Sequence, residues 1–257
     1  MAEAPKVGEV AAKLERLSPV QLDLIDSIAS QLIQPPDYQR YLDSDLVSDG
    51  VLWSFGDALR VHHCFSVEPF TKDRFEYALE RSINANGGKA TRAPRGNPGH
   101  DLTIGNVAYS LKTQANAGIR ADFIHISKFM ELGKGTWTDK VEDLDGLRDQ
   151  MFHHMRSYER IITLRKLPLF GNEYYELVEI PKALLLEAAN GEMSMMENSR
   201  QIPRPGYCRV RDENGVVKFE LYFDGGSERK LQIRVLRKAL CTVHATWKFP
   251  SNQPVAL

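Results

Sequence analysis

Asp101 and Lys112 flank a two-residue turn signal, Gly105-Asn106, within the stretch NPGHDLTIGNVAYSLKTQAN at residues 97–116. Runs of strand character at residues 100–104 and 107–113 lie on either side of that turn. They predict a β-hairpin with Asp101 opening one strand and Lys112 near the end of the other. Side chains alternate faces along a strand, so Ser110, Lys112 and Gln114 share one face while Tyr109, Leu111 and Thr113 share the other. Such a hairpin can aim one carboxylate and one ammonium into a common cleft. That pair suits metal-assisted phosphodiester hydrolysis. A carboxylate binds a hard cation such as Mg2+, the cation neutralises charge on the phosphoryl oxygens, and a lysine aligns or deprotonates the attacking water. By spacing alone, a solvent-facing Asp–Lys pair on a hairpin is the commoner reading.

Longer blocks reverse that preference. NPGHDLTI and LKTQA are followed, in order, by HISKFMELGKG, LVEIPKALLLEA and LYFDGGSERKLQI. With these the chain resembles the SmaI-like type II restriction endonucleases of the PD-(D/E)xK nuclease superfamily, from about residue 50 onward. The resemblance implies a restriction-endonuclease-like fold, Mg2+ as the metal, and double-strand cleavage at CCCGGG within a restriction-modification system. The superfamily carries Asp or Glu two residues before its lysine, whereas Ser110 stands there in this chain. A hydroxyl does not replace a carboxylate as a strong Mg2+ ligand. Gln114, on the Lys112 face, offers a neutral oxygen. Glu76, on the preceding helix, offers a charge, with Glu80 one turn further as second choice. The expected catalytic set is therefore Asp101, Lys112, Glu76 and Gln114, with Asp101 and Glu76 as metal ligands. Because Ser110 breaks the motif, two alternatives stay open: a non-catalytic DNA-binding protein on a degraded nuclease fold, and a nicking repair nuclease.

Three segments are candidates for holding double-stranded DNA. The loop at residues 89–99 places Lys89, Arg92 and Arg95 just ahead of Asp101, where flanking phosphates would lie. HISKFMELGKG adds His125, Lys128 and Lys134. The block at residues 224–230 supplies Ser227, Glu228, Arg229 and Lys230. There Gly225-Gly226 lets the backbone approach a ligand, Arg can pair with guanine O6 and N7, and Glu can accept from cytosine N4. A solvated loop or an exposed hairpin tip is the plain alternative for each. His62-His63 and His153-His154 diverge by about 100° around a helix axis and read as packing or surface residues.

The elements that must position these residues follow from the rest of the chain. Of 257 residues, 42% are hydrophobic and 26% charged, with Lys+Arg 33 against Asp+Glu 34. A net charge of −1 excludes recognition of nucleic acid by bulk charge, so any DNA-binding face is local. Cys64, Cys208 and Cys241 form no CxxC pair, which argues against zinc or a disulfide framework and for a reducing, cytoplasmic setting. No apolar run suggests a membrane span. No glycine-rich nucleotide loop suggests a small-molecule cofactor. Helices are expected through residues 1–34, with Ser18 as cap, Pro19 at the first position and Pro35-Pro36 as the stop, then near 50–64, from Thr71 to Asn86, and near 141–158 and 181–189. Strands are expected at 123–127, 160–166, 174–180, 207–211, 216–223, 230–235 and 241–248. The fold class is α/β: a mixed central β-sheet flanked by helices. Residues 1–49 would form a helical N-terminal region and residues 50–257 the nuclease domain. A palindromic target would favour a homodimer.

Overall fold

Helix caps set the first third of the chain. The computed structural model describes residues 6–94, 96–97, 99–116, 118–133 and 137–251. α1 (Val7–Leu14) is followed by α2 (Pro19–Ile33), which starts on a capping box: the Ser18 hydroxyl accepts from the Gln21 N–H while the Gln21 side chain accepts from the Ser18 N–H. The helix stops before Pro35-Pro36, as expected. The chain then departs from the expected helical region, because β1 (Asp37–Arg40) pairs antiparallel with the last strand at a sheet edge. Four residues with no clear alternation carry little strand signal of their own, and the partner ladder makes the strand.

α3 (Asp49–His63) is capped by Ser48 and α4 (Lys72–Ala85) by Thr71. Phe55 and Leu59 on α3, and Phe75, Leu79 and Ile83 on α4, fall at helical spacing and are buried. Next come β2 (Ala90–Arg92), β3 (Leu102–Ile104), β4 (Val107–Gln114), β5 (Phe123–Glu131), α5 (Asp143–Met155), β6 (Arg160–Leu169) and β7 (Asn172–Ile180). α6 (Lys182–Leu186) runs into a 3-10 turn, Glu187–Asn190. The chain closes with β8 (Glu192–Met195), β9 (Gly206–Arg211), β10 (Val217–Asp224), β11 (Lys230–Arg237) and β12 (Thr242–Pro250).

A seven-stranded sheet, ordered β1-β12-β7-β6-β4-β3-β2, is mixed: β4 and β6 run parallel and its other recorded pairings are antiparallel. One face packs on α3 and α4 through Phe55, Phe75, Leu111, Leu177 and Trp247. The other packs on α5 and on a second sheet, β5-β11-β10-β9-β8, through Phe129, Met151, Ile161, Val178, Phe219 and Leu221. The sequence suggested one mixed sheet. The alternating apolar side chains Phe219, Leu221 and Phe223 instead give β10 a buried face of its own, and that face makes the second layer. Among the described residues, no helix is long and apolar enough to cross a membrane.

Candidate active site

The hairpin forms as its turn residues require. Gly105 sits at φ +60°, a conformation that favours glycine, and its N–H donates to Lys89 O at 2.7 Å. Because β3 begins only at Leu102, opposite Tyr109, no β3 residue pairs with Leu111 on that edge of β4. Asp101 takes that place. Its Oδ2 accepts from Leu111 N at 2.7 Å and from Ser110 Oγ at 3.3 Å. The hydroxyl standing where the superfamily has an acid therefore fixes the neighbouring acid.

The other oxygen, Oδ1, faces Lys72 Nζ at 2.6 Å. Lys72 is the first residue of α4, and Glu76, one turn on, brings Oε1 to 3.5 Å from the same Nζ. Two carboxylates from different elements thus approach one cation position. Burial raises the pKa of Glu76; the Lys72 ammonium opposes that rise and the Asp101 carboxylate adds to it. Both candidate ligands are hard oxygen donors, the chemistry that Mg2+ takes, and Lys72 Nζ stands where a cation is held between them. The residues present fit such an ion.

Lys112, on β4, is 8% exposed, with Nζ 5.4 Å from the centre of the Phe129 ring. Burial pushes its pKa down to about 8, against the pull of Asp101. Asp101, Lys72 and Lys112 line a cleft of about 1090 Å3, walled by Lys128 and Phe129 of β5 and by His153 and His154 of α5. His154 is held below the usual imidazole range by burial and by the positive Lys112 beside it.

Gln114 is not part of this cluster. It is buried, and its Oε1 accepts from Arg165 Nε at 2.9 Å, because parallel pairing sets Gln114 directly beside Arg165 on β6. Glu80 and Arg92 hold each other: Arg92 Nε lies 2.7 Å from Glu80 Oε2, and the guanidinium stacks over Tyr77. That pair ties β2 to α4, and Ala90–Arg92 form a strand where the sequence suggested a loop through residues 89–99. Lys89 is exposed; Arg95 and Lys134 lie outside the described residues. His125 is half-buried on β5, with Nε2 3.3 Å from Gln232 Oε1, while exposed Lys128 pairs with Glu131 at 2.7 Å. The β10–β11 turn carries exposed Ser227 and Glu228. Arg229 there has φ +40°, and its carbonyl accepts from Leu132 N. Lys230 pairs in register with Glu131, which also lines the cleft. Gly225 is needed where it stands: a Cβ there would sit 1.9 Å from Pro203 O, a close approach to the protein's own backbone.

The sequence reading missed Lys72, whose signal was its place one turn before Glu76. It also set His153 and His154 aside as packing or surface residues, although they line the cleft wall. Among the described residues, Asp45, Glu179 and His244 bring donor atoms within 4.8 Å of one another. Arg160 fills that cluster, with Nη atoms 2.9 and 2.8 Å from Asp45 and Nε 3.0 Å from Glu179. A guanidinium fork that satisfies both carboxylates leaves no need for an ion.

The family described as SmaI, type II site-specific deoxyribonuclease, matches residues 10–249. The chain is 46% identical over 214 residues to the type II restriction enzyme SmaI of Serratia marcescens, across 82% of this chain and 84% of that one. A solved restriction endonuclease in complex with substrate DNA aligns over 79% of this chain and 83% of the other, at a TM-score of 0.34 and 10% identity. A match through both sheets and every helix that frames the cleft, together with that identity, settles the assignment: the chain belongs to the SmaI family of type II restriction endonucleases.

Proposed function

We propose that this endonuclease cuts both strands of double-stranded DNA at a G·C-rich palindrome, CCCGGG, with Mg2+, as a cytoplasmic homodimer within a restriction-modification system. The observation that carries the reading is the approach of the Asp101 and Glu76 carboxylates to one cation position beside buried Lys112. Mg2+ held by Asp101 and Glu76 would supply Lewis-acid charge to the phosphoryl oxygens. Ser110 and the Leu111 N–H keep Asp101 in place. Lys112 orients the attacking water and, in the neutral form that a pKa of about 8 makes accessible, accepts its proton. The products are a 5′-phosphate and a 3′-hydroxyl.

For the duplex, Lys89, Arg95, Lys128 and Lys134 are assigned to phosphates, and His125 to the same side of the cleft. The turn bearing Ser227, Glu228, Arg229 and Lys230 is assigned to base edges, with Arg229 on guanine and Glu228 on cytosine. A two-fold symmetric target calls for two copies of the chain, one per strand.

The test is digestion of a plasmid bearing a single CCCGGG with the wild type and Lys112→Ala, followed by sequencing of the ends. The wild type is expected to give linear product in Mg2+. Lys112→Ala is expected to lose cleavage by about 10²–10⁴-fold while binding the site in Ca2+. Nicked product, cleavage elsewhere, or a Lys112→Ala enzyme that cuts normally would each overturn the corresponding part of the reading.

A further inference from the structure

We infer that Lys72 is the built-in counter-ion of the metal site, so that a divalent ion enters only as the Lys72 ammonium withdraws from between Asp101 and Glu76. The inference rests on the reading of those two carboxylates as metal ligands. Nζ lies 2.6 Å from Asp101 Oδ1 and 3.5 Å from Glu76 Oε1. Asp101 Oδ2 is held by Leu111 N and Ser110 Oγ, so Oδ1 is the oxygen left for a cation, and Lys72 has it. An ammonium and a divalent ion cannot share that position, since both are positive at contact distance in a half-buried site.

Lys72 is also built to leave. Its side chain is 42% exposed, against 14% for Asp101 and 18% for Glu76. It stands first in α4, but Thr71 carries the cap, so the lysine stem can swing into the cleft without costing the helix its capping bond. A lysine is a point charge on a flexible stem and exchanges partners more readily than a guanidinium fork. Once withdrawn, the ammonium stays at the cleft, where a nucleic-acid phosphate would give it a new partner. Loading of DNA and loading of the ion then favour the same withdrawn state, and each tightens the other.

The test is Mn2+ binding to the full chain without DNA, read by the loss of the free Mn2+ EPR signal, so that cleavage plays no part. Lys72→Met is expected to bind Mn2+ about tenfold tighter than the wild type or better, because the fraction of molecules competent for the ion is no longer limited by lysine occupancy. Lys72→Arg, which keeps a cation, is expected to stay near the wild type. Equal or weaker binding by Lys72→Met overturns the inference and leaves the ligand assignment standing. Wild-type-like Mn2+ binding by both Asp101→Asn and Glu76→Gln removes the ligand assignment, and the inference with it. Thermal melting checks the fold independently. Without divalent ion, Lys72→Met is expected to melt below the wild type, since two carboxylates are left facing each other, and saturating Mn2+ should erase the deficit. A deficit that persists in Mn2+ marks Lys72 as an ordinary structural salt bridge and overturns the inference.

Discussion

Lys112 and Gln114 stand two residues apart on the same face of β4, yet only Lys112 opens onto space. Lys112 faces a cleft that Asp101 and Lys72 also line, and Lys72, itself half exposed, reaches the carboxylates of both Asp101 and Glu76. Gln114 meets Arg165, which is fully buried and also bonds Glu176 and the carbonyls of Arg120 and Phe123, the last two at 2.7 Å. Lys238 covers the remaining oxygen of Glu176 at 2.9 Å. The two clusters contain the same kinds of groups. In the second, a fixed guanidinium fork and Lys238 together satisfy the acceptors and nothing is left to bind. In the first, a flexible ammonium leaves the carboxylates exchangeable. Whether polar groups are satisfied within the fold separates a site from a scaffold better than their identity does.

The sharpest way to break that contrast is to remove the fork. Arg165→Ala is expected to destabilise the protein by about 3–5 kcal/mol, because Glu176 would be left buried with a single partner. Urea unfolding measures it, and added divalent ion should not restore the loss. Rescue by Mg2+ would mean that this cluster, too, holds an ion.

The cleft should respond in the opposite direction. In the unfolded chain Lys112 keeps its proton to near 10.5, and in the metal-free folded protein only to about 8. Between those values the unfolded state binds more protons, so stability rises with pH. The burden of the buried charge is full below about 8 and gone above about 10.5. Lys112→Met is therefore expected to stabilise the metal-free protein at neutral pH by on the order of 3 kcal/mol, with the gain vanishing as pH climbs through that window. A gain that does not change with pH would show that packing, not charge, was relieved.

Legibility in the sequence follows the same division. The hairpin was readable because its determinants are local: Gly105-Asn106 turns it and only ten residues separate Asp101 from Lys112. The caps Ser18, Ser48 and Thr71 lie beside helices whose apolar spacing announces them. Glu76 was reachable because a helix fixes which residues share a face, and the structure brings it to the expected acid. Lys72 was not, since a lysine in a first turn reads as plain solvated charge until its partner is placed. β1, β2 and β8 have three or four residues each and owe their form to the strands beside them. The partners of Gln114 were hidden by distance: Arg165 lies 51 residues away and is set beside it by a parallel register that no local pattern encodes. The division of the C-terminal strands between two sheets was hidden for the same reason.

Gln114 therefore gives the smallest and most discriminating test. On the sequence it was a candidate for the missing ligand. Its oxygen now belongs to a guanidinium, and the cleft is lined by its neighbour Thr113 instead. Gln114→Ala removes one hydrogen bond to a buried charge, so a loss of about 1–2 kcal/mol is expected. Cleavage per folded molecule should stay within about twofold, because no group facing the reacting phosphate has changed. Single-turnover cleavage and urea unfolding on the same preparation separate the two effects. If cleavage collapsed while stability held, Gln114 would have to leave Arg165 and reach the cleft when DNA binds. The two clusters on β4 would then be one site in two states.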